Sequence, residues 1–173
     1  DQLEVDNFIS TFAHQQKVFT PVMMNANQNY GTDIINSTDP DYVMRQIRKL
    51  HFGHSTVTIV LMGACTHSRR YIDWEIKASL QQGGIGGQLP HGLMAIALPS
   101  TLNRALLPER FKKNRCESGG YSKFYSYPQN GTELRNWIED AVSARTDRSH
   151  LISNPQQAWT RNRVCENCRI THY

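Results

Sequence analysis

The chain has 173 residues, of which 39% are hydrophobic and 20% are charged. This composition is typical of one globular domain, and no apolar run approaches the length of a membrane span, so we expect no membrane association. The net charge is +4, but the basic residues are scattered and not interleaved with aromatic residues, which favours an anionic nucleotide over nucleic acid as partner. The lack of a signal-segment pattern and the low density of cysteines predict a cytoplasmic protein.

The N-terminal third predicts a helix, an edge strand and a second helix. Apolar residues recur at helical spacing over residues 1–16. The apolar run Val18–Met24 contains Pro21, which cannot donate to a strand ladder and is normally confined to an edge strand. After an Asn-rich loop, Asp39 followed by Pro40 is typical of a helix N-cap and first helical position.

The next stretch predicts a buried strand, a loop and a helix. Thr56–Met62 is an aliphatic and β-branched run without alternation, as in a central strand of a parallel sheet. From about Tyr71, apolar residues recur every four positions and predict one buried helix face. Asp73 and Glu75 therefore lie near a helix N-terminus beyond the carboxyl end of a strand, where ligands bind in open α/β sheets.

The remaining chain predicts two more strands and a closing helix. The glycines in 81–88 lack a preceding strand, so they do not form a dinucleotide-binding motif. Strands are predicted at Leu93–Leu98 and Lys123–Tyr127, joined by a long loop that is either functional or partly structured. A helix starting near Thr132 has an apolar face that contains Leu134, Trp137, Ile138, Ala141 and Val142, and we expect Trp137 to be buried in the core.

Alternation of helices and strands indicates an α/β fold with a doubly wound parallel sheet. We expect one domain over residues 1–146. Residues 147–173 are polar without periodicity, and we interpret them as a C-terminal tail that packs on the body or on a neighbour.

The segment TVTIVLMGACT, followed by RRYIDWEI, resembles the bacterial TIR-like family of Thoeris anti-phage systems, in which a similar pattern carries the catalytic glutamate. The resemblance extends more loosely from Asp1 to about Arg145 and implies a flavodoxin-like sheet. The family begins with a central strand that has no counterpart here. We therefore expect the sequence to lack an N-terminal segment that supplies this strand.

The resemblance implies an enzyme of the NAD+ nucleosidase or ADP-ribosyl cyclase type, with NAD as substrate and no separate cofactor. Glu75 matches the catalytic position. Nicotinamide leaves as a neutral molecule, so one carboxylate that stabilises the oxocarbenium ion is sufficient. The alternative for Glu75 is a solvated glutamate that favours the helix dipole. The predicted substrate-binding residues are Gly63, Thr66, Arg70, Asp73 and Trp74, although Asp73 is as well suited to the helix dipole and Trp74 to packing.

A metal site has only weak support in the sequence. Cys165, Cys168 and His172 have spacing that could supply three zinc ligands, but no second Cys pair matches them. The interpretation preferred from sequence is reduced cysteines and no metal, with Cys65 structural.

Two functional hypotheses follow. The first is an NAD-consuming enzyme whose ADP-ribose-derived product, linear or cyclic, signals to a downstream effector. The second is a non-catalytic TIR-like module that acts by nucleotide sensing or by self-association into a homo-oligomer. Release of nicotinamide from NAD distinguishes them.

Overall fold

The computed structural model describes residues 1–21, 39, 42, 55–83, 89–102, 104–115 and 119–172. None of the described helices is long and apolar enough to cross a membrane. The α-helices and strands of this part are α1 (Gln2–Phe8), β1 (Val57–Met62), α2 (Arg70–Ser79), β2 (Gly92–Ala97), α3 (Glu109–Asn114), β3 (Lys123–Tyr125) and α4 (Gly131–Asp147). A π-helix over Ile9–Gln15 continues α1, and short 3-10 helices span Thr66–Ser68, Pro99–Thr101 and Ser149–Leu151.

The three described strands form one parallel sheet in the order β1-β2-β3. Val60 pairs with Ala95 between β1 and β2, and Ile96 pairs with Tyr125 between β2 and β3. All six residues of β2 are buried, which explains its unbroken apolar sequence, because both faces of a central parallel strand are covered. The predicted α/β fold with a parallel sheet is confirmed.

Helices cover both faces of the sheet. On one face, Ile76 and Leu80 of α2 and Phe111 of α3 pack with Val60 and Leu93. On the other face, α1, its π-helical continuation and α4 cover the alternate strand positions, in a cluster of Phe8, Phe12, Met94, Ile96, Leu134 and Ala141. The side chains of a strand alternate between faces, so the same strands supply both cores.

Helix α4 lies directly against the first residue of β2. A Cβ atom at Gly92 would lie 2.2 Å from the backbone oxygen of Ala141, so a side chain there would push the helix off the sheet. At its start, Asn130 Oδ1 accepts a hydrogen bond from the Glu133 backbone N–H at 2.9 Å, which satisfies an unpaired amide of the first turn.

The structure differs from the sequence prediction in two elements, the edge strand and the closing helix α4. No strand forms over residues 18–21, where Val18 and Phe19 pack into the core beside α1; residues 22–24 lie outside the described part. On α4, Val142 is 40% exposed, and Trp137 is only partly buried and stacks on Tyr125, with ring centroids 4.2 Å apart. The predicted edge strand is therefore wrong where the structure describes it, and Trp137 lies at the margin of the core.

The structure also bears on two further predictions, the helix N-cap at Asp39 and the long loop after β2. Asp39 Oδ1 accepts a hydrogen bond from the Tyr42 backbone N–H at 3.3 Å, in the way expected of an N-cap. The rest of that helix lies outside the described residues. The long loop contains α3 and the 3-10 helix at Pro99–Thr101, so it is partly structured.

Leu134→Ala should lower the free energy of unfolding by about 2 to 5 kcal/mol, because the side chain is fully buried and its removal leaves a cavity. Val142→Ala, on the exposed side of the same helix, should change it by about 0.5 kcal/mol or less. Urea unfolding of both variants measures the difference. Similar losses from both would show that α4 does not pack as described.

Candidate active site

The loop that follows β1 is held in a compact turn before α2 begins. The backbone N–H of Gly63 donates to Thr66 Oγ1 at 3.0 Å. A 3-10 helix covers Thr66–Ser68, and α2 starts at Arg70. Asp73 therefore lies in the first turn of α2, while Glu75 lies in the second, later than predicted. We call residues 63–69 the exit loop.

Glu75 carries a carboxylate that makes no hydrogen bond or ion pair with the described residues, in contrast to Asp73. The residue is half-buried. Crowding by protein atoms raises the pKa of its carboxyl group from the ordinary 4.5 to about 7 through loss of solvation, since burial disfavours the charged form. A carboxyl group without a partner and with a pKa near neutrality is typical of a functional site.

The contacts of Ser79 show which way Glu75 faces. Residues four apart lie on the same side of a helix, and Ser79 Oγ lies 2.8 Å from Thr58 Oγ1 of β1 while it donates to the Glu75 backbone oxygen at 2.7 Å. Helix α2 runs back along β1, so Glu75, about 6 Å nearer the helix start than Ser79, lies nearer the carboxyl end of β1 than Ser79 does. Glu75 is thus on the β1 side of the helix.

Asp73 has a different environment from Glu75, although only two positions separate them. Asp73 is 1% exposed, and its two oxygens accept from Arg110 Nε at 2.8 Å and from a terminal guanidinium nitrogen at 3.2 Å. The Trp159 backbone N–H also donates to Asp73, at 3.0 Å. The carboxylate is therefore fully engaged inside the protein.

Trp74 and Arg70 also make internal contacts. Trp74 is fully buried, and its indole Nε1 donates to the Trp159 backbone oxygen at 2.6 Å. Arg70 lies over the rings of Tyr71 and Trp74 and donates to the Thr160 backbone oxygen at 3.2 Å. Their roles in substrate binding stay predictions, as does that of Asp73, and the observed contacts give all three a structural role.

These contacts come from residues 148–172, which we call the C-terminal segment. It runs along α2 from Lys77, whose Nζ donates to the Gln156 backbone oxygen at 2.9 Å, to the exit loop, where Ser68 accepts from the Arg163 backbone N–H. Asn162 Oδ1 accepts from the Arg70 backbone N–H at 2.8 Å and so caps the helix. The predicted tail packs on the body.

The predicted site is therefore divided between two sides of α2. Arg70, Asp73, Trp74 and Lys77 follow the three- and four-residue spacing of one helix face, and this face meets the C-terminal segment. Successive residues turn by about 100°, so Glu75 points to nearly the opposite side. Gly63 and Thr66 brace the exit loop and form no hydrogen bond with Glu75 in the described part of the chain.

Sequence reasoning missed Arg110, Trp159 and Asn162. Arg110 is 3% exposed, yet in the sequence it belongs to a basic cluster that is most simply interpreted as solvated surface. No local pattern marks its partner 37 residues away. A groove in the C-terminal segment, lined by Trp159, Thr160, Arg161, Asn162, Arg163, Val164 and Thr171, does not include Glu75.

The structure also brings Cys65 to the C-terminal cysteines. The Sγ atoms of Cys65 and Cys165 are 3.1 Å apart, and those of Cys65 and Cys168 are 3.6 Å apart. His172 Nε2 lies 3.0 Å from Cys168 Sγ. Cys65 thus adds the fourth side chain that the sequence pattern lacked, so the four residues together could hold a metal ion, while the absence of a metal stays a prediction.

A comparison with known protein families assigns the part of the chain that contains Glu75 to a family. The family model for the TIR-like domain of the Thoeris protein ThsB matches residues 1–102. The chain belongs to this family. The match includes β1, the exit loop, α2 and β2, so the chain contains a defence-related TIR-like domain, as the resemblance implied. No curated protein and no solved structure matches it significantly.

The buried ion pair of the TIR-like domain should be essential for its stability. Arg110→Met leaves Asp73 buried without its cation and should lower the free energy of unfolding by about 3 to 5 kcal/mol. Glu109→Gln is the control, since it weakens an exposed pair with Arg163 and should cost about 1 kcal/mol or less. Urea unfolding compares them, and equal losses would contradict the importance of the buried pair.

Burial of Glu75 should make the TIR-like domain less stable as pH rises. Below pH 4.5 the carboxyl group is protonated whether the chain is folded or not. Between 4.5 and about 7 only the unfolded chain ionises, and above this range the folded state carries the full desolvation penalty, about 3 kcal/mol for this shift. Glu75→Gln should therefore stabilise the domain at pH 8 and hardly at pH 4.5.

Thermal melts of wild type and Glu75→Gln at the two pH values test this expectation. Glu139→Gln, an exposed carboxylate on α4, controls for the general effect of removing one negative charge. A Glu75→Gln gain that is the same at both pH values would rule out desolvation of the Glu75 carboxylate as its cause.

Proposed function

We propose that this TIR-like domain cleaves the bond between nicotinamide and ribose in NAD, with Glu75 as the catalytic carboxylate. The observation that carries the proposal is the state of Glu75: half-buried, without a partner among the described residues, and with a pKa raised to about 7. Asp73, whose observed contacts are structural, is by contrast paired with Arg110.

The chemistry suits a single carboxylate. As the glycosidic bond breaks, its electron pair goes to the ring nitrogen, nicotinamide leaves neutral, and positive charge develops on the ribose. The negative charge of Glu75 stabilises that charge most strongly where water is partly excluded. Because none of the described residues pairs with the carboxylate and competes with substrate, its interaction strengthens as the ribose becomes cationic, which is how an enzyme lowers a barrier.

In this proposal the other predicted residues divide into two groups. Arg70, Asp73 and Trp74 are positioning residues that fix α2 against the C-terminal segment. Gly63 and Thr66 fix the exit loop at the end of β1, beside which substrate would bind, since ligands bind beyond the carboxyl ends of parallel strands. Glu75 is held through the bond between its backbone and Ser79, which contacts Thr58.

The product would be an ADP-ribose derivative, linear when water captures the oxocarbenium ion and cyclic when a group of the same nucleotide does. We further propose that a downstream effector recognises this product in the cytoplasm, and that the domain acts alone or as a homo-oligomer. No cofactor other than the substrate NAD takes part.

Glu75→Gln should reduce turnover of NAD by about a hundredfold or more while changing KM little, because the lost interaction acts mainly in the transition state. The measurement is nicotinamide release from NAD by the purified chain. Glu139→Gln is the matched control and should retain wild-type turnover. For wild type, kcat/KM should rise with pH through about 7 and level off above it, because the ionised carboxylate is the active form.

Two outcomes would contradict this proposal in different ways. Equal turnover of wild type and Glu75→Gln would show that another group catalyses cleavage. A folded wild type that releases no nicotinamide would favour the non-catalytic alternative, in which the domain senses nucleotides or self-associates. Because Glu75→Gln is expected to be more stable than wild type at pH 8, loss of activity in that variant cannot be attributed to unfolding.

A further inference from the structure

Four metal-binding side chains converge where the C-terminal segment reaches the exit loop. Cys65 comes from the exit loop, and Cys165, Cys168 and His172 come from the end of the C-terminal segment. Their ligand atoms all lie within 4.8 Å of one another. Cys165 is buried, Cys65 and His172 are partly buried, and Cys168 is exposed. We propose that these four residues bind one Zn²⁺ ion.

The distances suit tetrahedral coordination by three thiolates and one imidazole. Zn–S bonds of about 2.3 Å and Zn–N bonds of about 2.0 Å place neighbouring ligand atoms about 3.5 to 3.8 Å apart. The observed separations are 3.1 Å for Cys65 and Cys165, 3.6 Å for Cys65 and Cys168, and 3.0 Å for Cys168 and His172. Each differs from the required value by about 1 Å or less, a change that side-chain rotation can supply.

The backbone around Cys165 forms a suitable metal-binding turn. Val164 and Thr171 pair across an antiparallel bridge, and the Cys165 backbone N–H donates to the Ile170 backbone oxygen at 2.9 Å. Within the turn, the Arg169 backbone N–H donates to the Cys165 backbone oxygen at 2.8 Å. These backbone bonds close the turn and hold Cys165 and Cys168 on neighbouring parts of it, as the ligands of one metal ion require.

Hydrogen bonds independent of the sulfur atoms hold this turn against the exit loop. The side-chain amide of Asn167 donates to the Ala64 backbone oxygen. The Glu166 backbone N–H donates to His67 Nε2 at 3.2 Å. One of these contacts lies before Cys65 in the chain and the other lies after it. The fold itself therefore brings Cys65 to the Cys-x-x-Cys pair, independently of any attraction among the sulfur atoms.

A disulfide explains these observations less well than a metal ion. A disulfide joins two sulfur atoms and leaves the third thiol and the imidazole without a function. Three thiols and one imidazole are the complete set of a structural Cys₃His zinc site, and the ligand softness selects Zn²⁺ over Mg²⁺ or Ca²⁺. The ion would connect two parts of the chain about 100 residues apart, and so attach the C-terminal segment to the start of α2.

The metal content of the full chain, purified under reducing conditions without added metal, tests the proposal. We expect about one equivalent of zinc per chain by elemental analysis, as a four-ligand structural site requires. Replacement by Co²⁺ should give the intense visible bands of tetrahedral cobalt and a thiolate charge-transfer band in the near ultraviolet. This measurement needs no variant, so it does not depend on whether a variant folds.

Cys65→Ser and His172→Ala should each bind the metal much more weakly and lose most of the cobalt absorption. His150→Ala, an exposed histidine of the same segment, is the matched control and should bind cobalt as wild type does. Chelation of zinc from wild type should lower its melting temperature. The proposal is overturned if reduced wild type binds neither zinc nor cobalt, or if Cys65→Ser and His172→Ala both retain the spectrum of His150→Ala.

Discussion

The arrangement of this domain depends on the buried ion pair between Asp73 and Arg110. Two charges removed from water are tolerated only when all their hydrogen-bonding capacity is used. The guanidinium also donates to Asn154 Oδ1 at 2.8 Å and to the backbone oxygens of Gln156 and Gln157 at 3.1 and 3.0 Å. Because these partners belong to α2, α3 and the C-terminal segment, satisfying the pair fixes the relative positions of all three.

Helix α2 consequently has three distinct sides. Ile72, Ile76 and Leu80 meet the sheet, Arg70 to Lys77 meet the C-terminal segment at every third or fourth position, and Glu75 lies on the remaining side, towards β1. The free-energy cost of holding Glu75 without a partner among the described residues is offset by burial and pairing on the other two sides. Strain or unfavourable solvation at one point of an otherwise well-satisfied element is expected at a functional site.

The C-terminal segment lies entirely beyond residues 1–102, which match the TIR-like family, yet it completes the helix that the family match contains. It caps the Arg70 amide, accepts the Trp74 indole proton and reaches the exit loop. With a metal ion at Cys65, the segment would be attached beside both Gly63 and Thr66. The geometry of the candidate active site would then depend on residues that are remote in sequence and make no contact with substrate.

The sequence by itself determined the local elements of this protein. Apolar runs placed β1 and β2 within about one residue, because a strand covered on both faces must be largely apolar, and an aromatic run placed β3 within about two residues. The four-residue period of α2 gave its core-facing side, and the resemblance around Glu75 indicated the family. These features depend on neighbours within one turn of a helix or along one strand, so they are visible in a short stretch of sequence.

The tertiary structure alone decided which of two nearby carboxylates pairs with another residue of the described part of the chain. Asp73 and Glu75 look equivalent in sequence, but successive helix positions point in different directions, and one direction meets Arg110 while the other does not. Likewise, Cys165 and Cys168 gave an incomplete metal pattern until folding brought Cys65 beside them. In both cases the decisive partner is tens of residues away, and local sequence contains no information about contacts that only the packed chain creates.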